Sequence, residues 1–366
     1  MPLIRDSGTL AIRCFKSVEH CADRLTGAAG PVFVAICWVL IVLGGISFVD
    51  VIIIHKPLSF LRILFLPIAI LILLNLYSQY YYVIRTPPGN PHSVVEEIKR
   101  EAPWMIEKGS DREHRGMLAD GTWAGEKLRK CGRCLGPKPI RTHHCRVCRS
   151  CVLVMDHHCP WINQCVGLYN QRYFVLFMAW LSVSCWTFAI LGYQDFWLSM
   201  SYKPAWVAVT PPILFTLIWV LSVALGCAVP MLLVWHIYLI SRGETSIEGH
   251  DNDYFTTKAK ERGVTYINPY DLGSRRHNLE HYFNVGPGRL PYYTLFMPFR
   301  YPPSTSGWRF PLHPIALSRR RRNSEVPEDD RYGNVVVGDE DEGELTDDEG
   351  GGGGLWSEDQ EEAPWT

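Results

Sequence analysis

The 366-residue chain lacks an excess of charge of either sign: 36 Lys and Arg stand against 37 Asp and Glu, for a formal net charge of −1. Without a basic surplus to neutralise phosphates, no nucleic acid is expected as a partner. The first thirty residues lack the layout of a secretory leader, with its basic start, short apolar core and small-residue cleavage site. They are mixed polar and carry Arg5, Arg13, Lys16 and Arg24. Charge is scarce inside the long apolar runs, where Asp50, Arg62 and Asn75 are the few internal polar groups of the first pair. That scarcity leaves no ion relay, which argues against a transporter or channel.

Apolar side chains are plentiful: 47% of the chain is hydrophobic, with 13 Trp, 17 Tyr and 15 Phe. They are gathered in blocks, Pro31 to Ile54, Leu58 to Ile84, Tyr173 to about Leu198, and about Pro212 to Ile240. Each block is long enough for the roughly 20 residues that cross a bilayer, and a helix apolar on every face for that length is not the core helix of a soluble domain. The expected fold is an α-helical multi-pass membrane protein with four transmembrane helices, two within residues 31–84 and two within 173–240.

Lys and Arg set the expected orientation, because short loops rich in them stay cytosolic. The links His55 to Pro57 and Met200 to Thr210 hold only Lys56 and Lys203, whereas residues 85–172 carry Lys99, Arg100, Arg129, Lys130, Arg133, Lys138, Arg141, Arg146 and Arg149 among others. Both termini, including the N-terminal residues 1–30, and the loop 85–172 are therefore expected in the cytosol. In that reducing compartment, thiols bind metal or do chemistry rather than form disulfides.

That placement governs the reading of Cys131 to Cys165, which holds seven cysteines and four histidines. Paired CxxC spacing lets a tight turn aim two thiolates at one zinc ion. The block, about residues 129–172, has little apolar sequence of its own, so a loop-rich domain folded around metal is expected. Two tetrahedral zinc sites use roughly eight of the eleven groups. Three remain, and spacing alone does not decide which. In Asp156-His157-His158-Cys159 a carboxylate, an imidazole and a thiol are packed into four residues. This suits Cys159 as nucleophile, His157 as its base and Asp156 as the group that orients the base.

These motifs, CxxC, KPxRxHHCxxCxxC, MDHHCPW and NxCVGxxNxRYF, resemble the DHHC-type protein S-acyltransferases, or palmitoyltransferases, over about Pro31 to Phe283. Gln164 stands where that family more often has Asn. The resemblance implies one zinc on Cys131, Cys134, His144 and Cys151 and a second on Cys145, Cys148, His158 and Cys165. His143, His157 and Cys159 are left over, and catalysis falls to Asp156, His157 and Cys159. Thr86-Pro87-Pro88-Gly89, Thr245-Ser246-Ile247-Glu248, the run SRGETSIE and Asn268-Pro269-Tyr270 are similar to the Abl-philin type of the family. Thr245, Glu248 and Asn278, within the C-terminal region 241–290, are implied to support the site structurally.

The resemblance further implies acyl-CoA, such as palmitoyl-CoA, as co-substrate, two structural zinc ions as cofactors, a Golgi or endoplasmic reticulum membrane, and membrane-associated protein substrates with cytosolic cysteines. Lys138, Arg141 and His143 are basic groups that would meet CoA phosphates, and Trp161 would anchor the loop at the membrane interface. The competing reading is a non-catalytic zinc-bearing membrane adaptor, for which Cys159→Ser would leave function intact. Residues 291–366, rich in Pro, Gly and charge, are expected to form a disordered tail. In it, Arg319 to Arg322 would meet anionic lipid and Ser324 and Thr346 would be phosphorylation sites.

Overall fold

The computed structural model describes residues 2–55, 60–106, 116–117, 123–125, 128–201, 206–315 and 335–338, with side chains described at 16–55, 63–103, 105–106, 128–201 and 206–315. Ser324, Thr346, the Arg319 to Arg322 cluster, Lys56 and Lys203 lie outside the described residues. Among the described residues, four helices are long and apolar enough to cross a membrane.

The helix that carries the first span begins well before residue 31. Helix α1 runs from Pro2 to Ser47 and continues as π-helical turns over Phe48–Ile54. No proline interrupts residues 3–30. Pro31 sits inside the helix, where membrane helices tolerate the hydrogen bond it forfeits. At 1.5 Å per residue α1 is about 70 Å long, roughly twice the hydrocarbon thickness. Its N-terminal part, expected as a separate segment, is thus a rigid continuation of the span.

Helix α2 (Phe60–Arg85) is followed by a 3-10 turn at Pro91–Ser93 and helix α3 (Val95–Glu101). Four antiparallel hairpins come next: β1 (Gly116–Met117) with β2 (Trp123–Gly125), β3 (Arg129–Lys130) with β4 (Pro137–Lys138), β5 (His143–Cys145) with β6 (Ser150–Val152), and β7 (His157–Cys159) with β8 (Gln164–Val166). The expected third span, 173–198, is divided into α4 (Gln171–Leu191) and α5 (Tyr193–Ser199) at Gly192. A Cβ at Gly192 would lie 2.8 Å from the Phe188 carbonyl and 3.1 Å from the Phe215 ring, so only glycine allows this close turn. Helix α6 (Pro212–Ser241) is the fourth span. Helix α4 packs between α2 and α6. At the outer surface Leu64, Ile68, Leu217, Met231 and Val234 are exposed, as lipid-facing side chains are.

After α6 come α7 (Ser246–Glu261), strand β9 (Val264–Ile267) and α8 (Arg275–Phe283). The expectation of a structureless tail from residue 291 is corrected here. Trp308 and Phe310 are fully buried against Val94, Ile98, Met105, Leu153 and Leu168. Tyr82 donates to the Pro298 carbonyl at 3.0 Å, and Tyr173 donates to the Tyr301 carbonyl at 2.8 Å. Tyrosines of the spans thereby hold a Pro-rich extended chain by its backbone, which a composition-based reading does not register. Farther on, strand β10 (Val335–Gly338) pairs antiparallel with β9.

Candidate active site

The site is assembled from a repeated hairpin. Cys131, Cys145 and Cys159 are fourteen residues apart, as are His144 and His158, His143 and His157, and Cys151 and Cys165. The β5–β6 and β7–β8 hairpins share one register: His143 faces Val152 as His157 faces Val166, and His144 faces Cys151 as His158 faces Cys165. Four residues after each leading cysteine the backbone turns left-handed, at Leu135, Arg149 and Asn163. In the first two units the fourth residue of the turn is a second cysteine whose amide donates back to the leading sulfur, Cys134 to Cys131 at 3.4 Å and Cys148 to Cys145 at 3.3 Å. In the third unit that position is Ile162. Cys159 therefore occupies a metal-knuckle position with no second thiol beside it.

The first two units form two Cys/His groups suited to zinc: Cys131, Cys134, His144 and Cys151, and Cys145, Cys148, His158 and Cys165. A tetrahedral ion with about 2.3 Å to sulfur and 2.0 Å to nitrogen sets its ligands roughly 3.5–3.8 Å apart. Here His144 Nδ1 stands 3.6, 3.2 and 3.9 Å from the sulfurs of Cys131, Cys134 and Cys151. His158 Nδ1 stands 3.7, 3.2 and 3.7 Å from those of Cys145, Cys148 and Cys165. Each group thus fits one closed four-ligand ion. Such an ion has no open position for water or substrate, so it would organise the hairpins rather than act on substrate.

The third unit carries the candidate catalytic groups Asp156, His157 and Cys159. His157 Nδ1 bonds Asp156 Oδ2 at 2.7 Å, and the same imidazole is hydrogen-bonded to Cys159. Burial disfavours charge on His157, but its bonds to Asp156 and Cys159 outweigh that and push its pKa up to about 9. An imidazole of that basicity, bonded to the sulfur, is placed to take up a thiol proton. Burial likewise opposes ionisation of Asp156, yet His157 and the Ser246 amide hold its carboxyl below the usual carboxylate range.

The amide of Ser246 reaches Asp156 Oδ1 at 2.5 Å because Ser246 opens α7. Thr245 caps that helix through a reciprocal capping box with Glu248, leaving the first helical N–H free to meet the carboxylate. The Ser246 hydroxyl donates to the Asp156 carbonyl at 2.8 Å. Asn278 Nδ2 donates to the Ser241 carbonyl at the end of α6 and to Asp271 Oδ1, both at 2.8 Å, while its Oδ1 accepts from Leu272.

Residues 125–253 match the model of the DHHC palmitoyltransferase family. That match covers 129 of the 366 residues, so this segment of the chain is similar to the family's DHHC domain. Palmitoyltransferase ZDHHC16A of Danio rerio is 27% identical over 288 residues, 66% of this chain and 67% of the relative. Probable protein S-acyltransferase 15 of Arabidopsis thaliana is 38% identical over 43% of this chain and 62% of its own, and palmitoyltransferase ZDHHC16 of Mus musculus is 30% identical over 64% and 60%. The chain thus spans about 60–67% of the length of these curated relatives. The Abl-philin type corresponds to the ZDHHC16 proteins among them.

Sequence reasoning missed one residue of the DHHC site. His236, on α6 and 7% exposed, places Nδ1 3.6 Å from Asp156 Oδ2 and its ring 5.6 Å from that of His157. The available signal was a lone histidine in an apolar span, which is costly there unless it has a task. His236→Gln should slow acyl-enzyme formation about tenfold, equivalent to about 1.4 kcal/mol, with zinc content and acyl-CoA KM unchanged; unchanged kinetics in stopped-flow labelling would leave His236 a packing group.

Arg141 is a correction. Expected to meet CoA phosphates, it is buried in a bidentate pair with Glu248, Nε to Oε1 and Nη2 to Oε2 both at 2.6 Å, and its guanidinium lies 4.5 Å over Tyr270. Its charge is already spent on tying the cysteine-rich domain to the cap of α7. Removing one partner of a buried pair costs about 3–5 kcal/mol, so Arg141→Ala should lower thermal stability by that order. Adding Glu248→Ala should cost far less than the sum of the two single changes, as a double-mutant cycle of unfolding measures.

The other expected residues are placed as follows. Lys138 is half-buried in β4 opposite Arg129. His143 is half-buried in β5, one repeat before His157. Trp161 is half-exposed beside Phe33 of α1, ring centroids 4.9 Å apart, and its carbonyl accepts from Tyr80 at 3.0 Å. A Cβ at Gly30 would collide with the Asn163 amide, so glycine lets α1 close onto the turn that follows Cys159.

Proposed function

We propose that the protein is a protein-cysteine S-palmitoyltransferase that moves a long-chain acyl group from acyl-CoA to Cys159 and then to a cysteine of a membrane-associated protein. The observation that carries this reading is the Asp156-His157-Cys159 relay on a hairpin whose neighbours are two metal knuckles. The Cys159 thiol passes its proton to His157, and the sulfur attacks the acyl-CoA thioester carbonyl. The C–S bond to CoA breaks and CoA leaves as a thiol, taking up the proton. In the second half His157 accepts the proton of the substrate cysteine, whose sulfur displaces Cys159. Asp156 holds His157 in the orientation that faces the sulfur.

An apolar hollow among the spans supports this reading. A cavity of about 100 Å³ among all four spans is lined by residues including Leu40, Gly44, Leu73, Cys185 and Leu225. Leu76 lines it too and belongs to the buried cluster that contains Tyr80 and Cys159, so apolar surface runs from the cavity to the nucleophile. Lys138 and His143 are the remaining candidates for CoA phosphates, and Trp161 for the interface anchor. Placement in a Golgi or endoplasmic reticulum membrane is part of the same reading and rests on the family resemblance, whereas the cytosolic position of both termini rests on the asymmetry of Lys and Arg. Purified protein incubated with labelled palmitoyl-CoA should take up label that neutral hydroxylamine releases. Absence of label, or label that resists hydroxylamine, overturns the reading.

A further inference from the structure

The continuation of α1 beyond the membrane creates a second concave surface that the acyl-transfer site does not use. Residues 16–30 lie along the second metal knuckle: Arg146 pairs with Glu19 and stands 3.6 Å from Asp23, and a Cβ at Gly27 would rest on Val147 at 3.4 Å. Between helix and knuckles opens a cleft of about 660 Å³. Arg24, Arg133, Arg146 and Arg149 line it, with His20, and Asp23 is its only lining carboxylate. Arg146 is engaged with the acids of α1, whereas Arg24, Arg133 and Arg149 have no carboxylate partner among the described residues.

Three unneutralised guanidiniums converging on one hollow repel one another unless an anion joins them. Arg133 and Arg149 are held at this wall by the knuckle turns, Arg133 between the two cysteines of the first CxxC and Arg149 in the left-handed turn after the second. Gly27 and Ala28, which floor the cleft, lie one turn from Pro31, where the apolar part of α1 begins, and Phe33 touches Trp161 just below. The hollow is therefore at headgroup height on the face of the membrane that carries the cysteine-rich domain.

We propose that this cleft binds a ligand bearing clustered phosphate groups, which match planar guanidinium forks in charge and geometry. Two sources share that chemistry: the headgroup of a phosphorylated inositol lipid in the adjacent leaflet, and the phosphorylated adenosine end of CoA. The site is separate from the Asp156-His157-Cys159 relay and does not depend on the acyltransferase reading.

The test uses the full-length protein in phosphatidylcholine nanodiscs, with inositol trisphosphate and adenosine 3′,5′-bisphosphate as soluble probes and binding followed by calorimetry. Wild type should bind one of them in a salt-sensitive way. Arg24→Gln, Arg133→Gln and Arg149→Gln should each weaken it roughly tenfold, the scale of a lost charge-assisted hydrogen bond, with zinc stoichiometry retained. Arg24→Glu, at an exposed position of α1 and outside the knuckle hairpins, should abolish binding with zinc stoichiometry retained. Loss of the inositol probe alone assigns the site to lipid; loss of the adenosine probe with a raised KM for acyl-CoA assigns it to CoA. If neither probe binds wild type, or binding survives Arg24→Glu and the three combined Gln substitutions, the proposal is overturned.

Discussion

Cys159→Ser should remove hydroxylamine-labile acylation and lower acyl transfer by at least about 10⁴-fold, while zinc content and thermal unfolding stay at wild-type values. The magnitude is that of removing a covalent nucleophile whose partners are left in place. A hydroxyl retains the shape of the thiol but is far less acidic and less nucleophilic toward a thioester, and the ester it would form is not displaced readily by a thiol. Stability should be preserved because Cys159 stands in the knuckle position opposite Ile162 and belongs to neither metal group. Wild-type labelling of the serine variant, measured by in-gel detection of bound acyl chain before and after hydroxylamine, would exclude Cys159 as the acyl carrier. It would return the protein to the class of zinc-bearing adaptors.

Cys145→Ala and His157→Ala should fail in opposite ways, although the two residues are only twelve positions apart. Cys145 contacts His158 in one metal group, and its hairpin packs against the hairpin that carries Cys159 through Val152, Met155 and Cys165. The free energy of a structural zinc site, roughly 10–16 kcal/mol for small zinc domains, exceeds the 5–15 kcal/mol by which a typical folded domain is stable. Loss of one thiolate should therefore cost zinc, the hairpin pair and the folded protein together. His157 bonds only to Asp156 and Cys159 within the site, so His157→Ala should keep both ions and the fold while slowing acyl-enzyme formation by about 10²–10⁴-fold, the range of a general base. Metal stoichiometry by plasma emission, read beside size-exclusion profiles and labelling rates, separates the two. Zinc loss in the His157 variant would move it into a ligand shell.

The spans were legible because twenty consecutive apolar residues have few soluble alternatives, and the reactive tetrad because carboxylate, imidazole and thiol adjoin in the chain. The fourteen-residue repeat was equally open to reading. It relates Cys159 to Cys131 and Cys145 and explains why three groups are in surplus, since His143 and His157 are the same position in successive units. Arg141 was misassigned for a physical reason: a guanidinium beside the motif is as suited to phosphate as to a carboxylate, and its partner Glu248 is 107 residues away. The segment 291–315 was misassigned because it was read together with the Pro-, Gly- and charge-rich chain that follows it, while its own aromatics Trp308 and Phe310 and the tyrosines of the spans hold it down.

By itself the sequence determined what is local: four apolar spans, paired Cys/His knuckles suited to metal, and a thiol two residues from an imidazole. Period and spacing within a few residues set hydrophobicity, turn geometry and ligand reach, and these need no distant partner. Tertiary structure alone decided what depends on residues far apart in the chain. The Ser246 amide and His236 converge on Asp156, Arg141 closes on Glu248 rather than facing solvent, and α1 runs past the membrane to wall a basic cleft. Each of these is a meeting of charges or dipoles whose energy is gained only when folding excludes water from between them, and chain order carries no mark of which groups will meet.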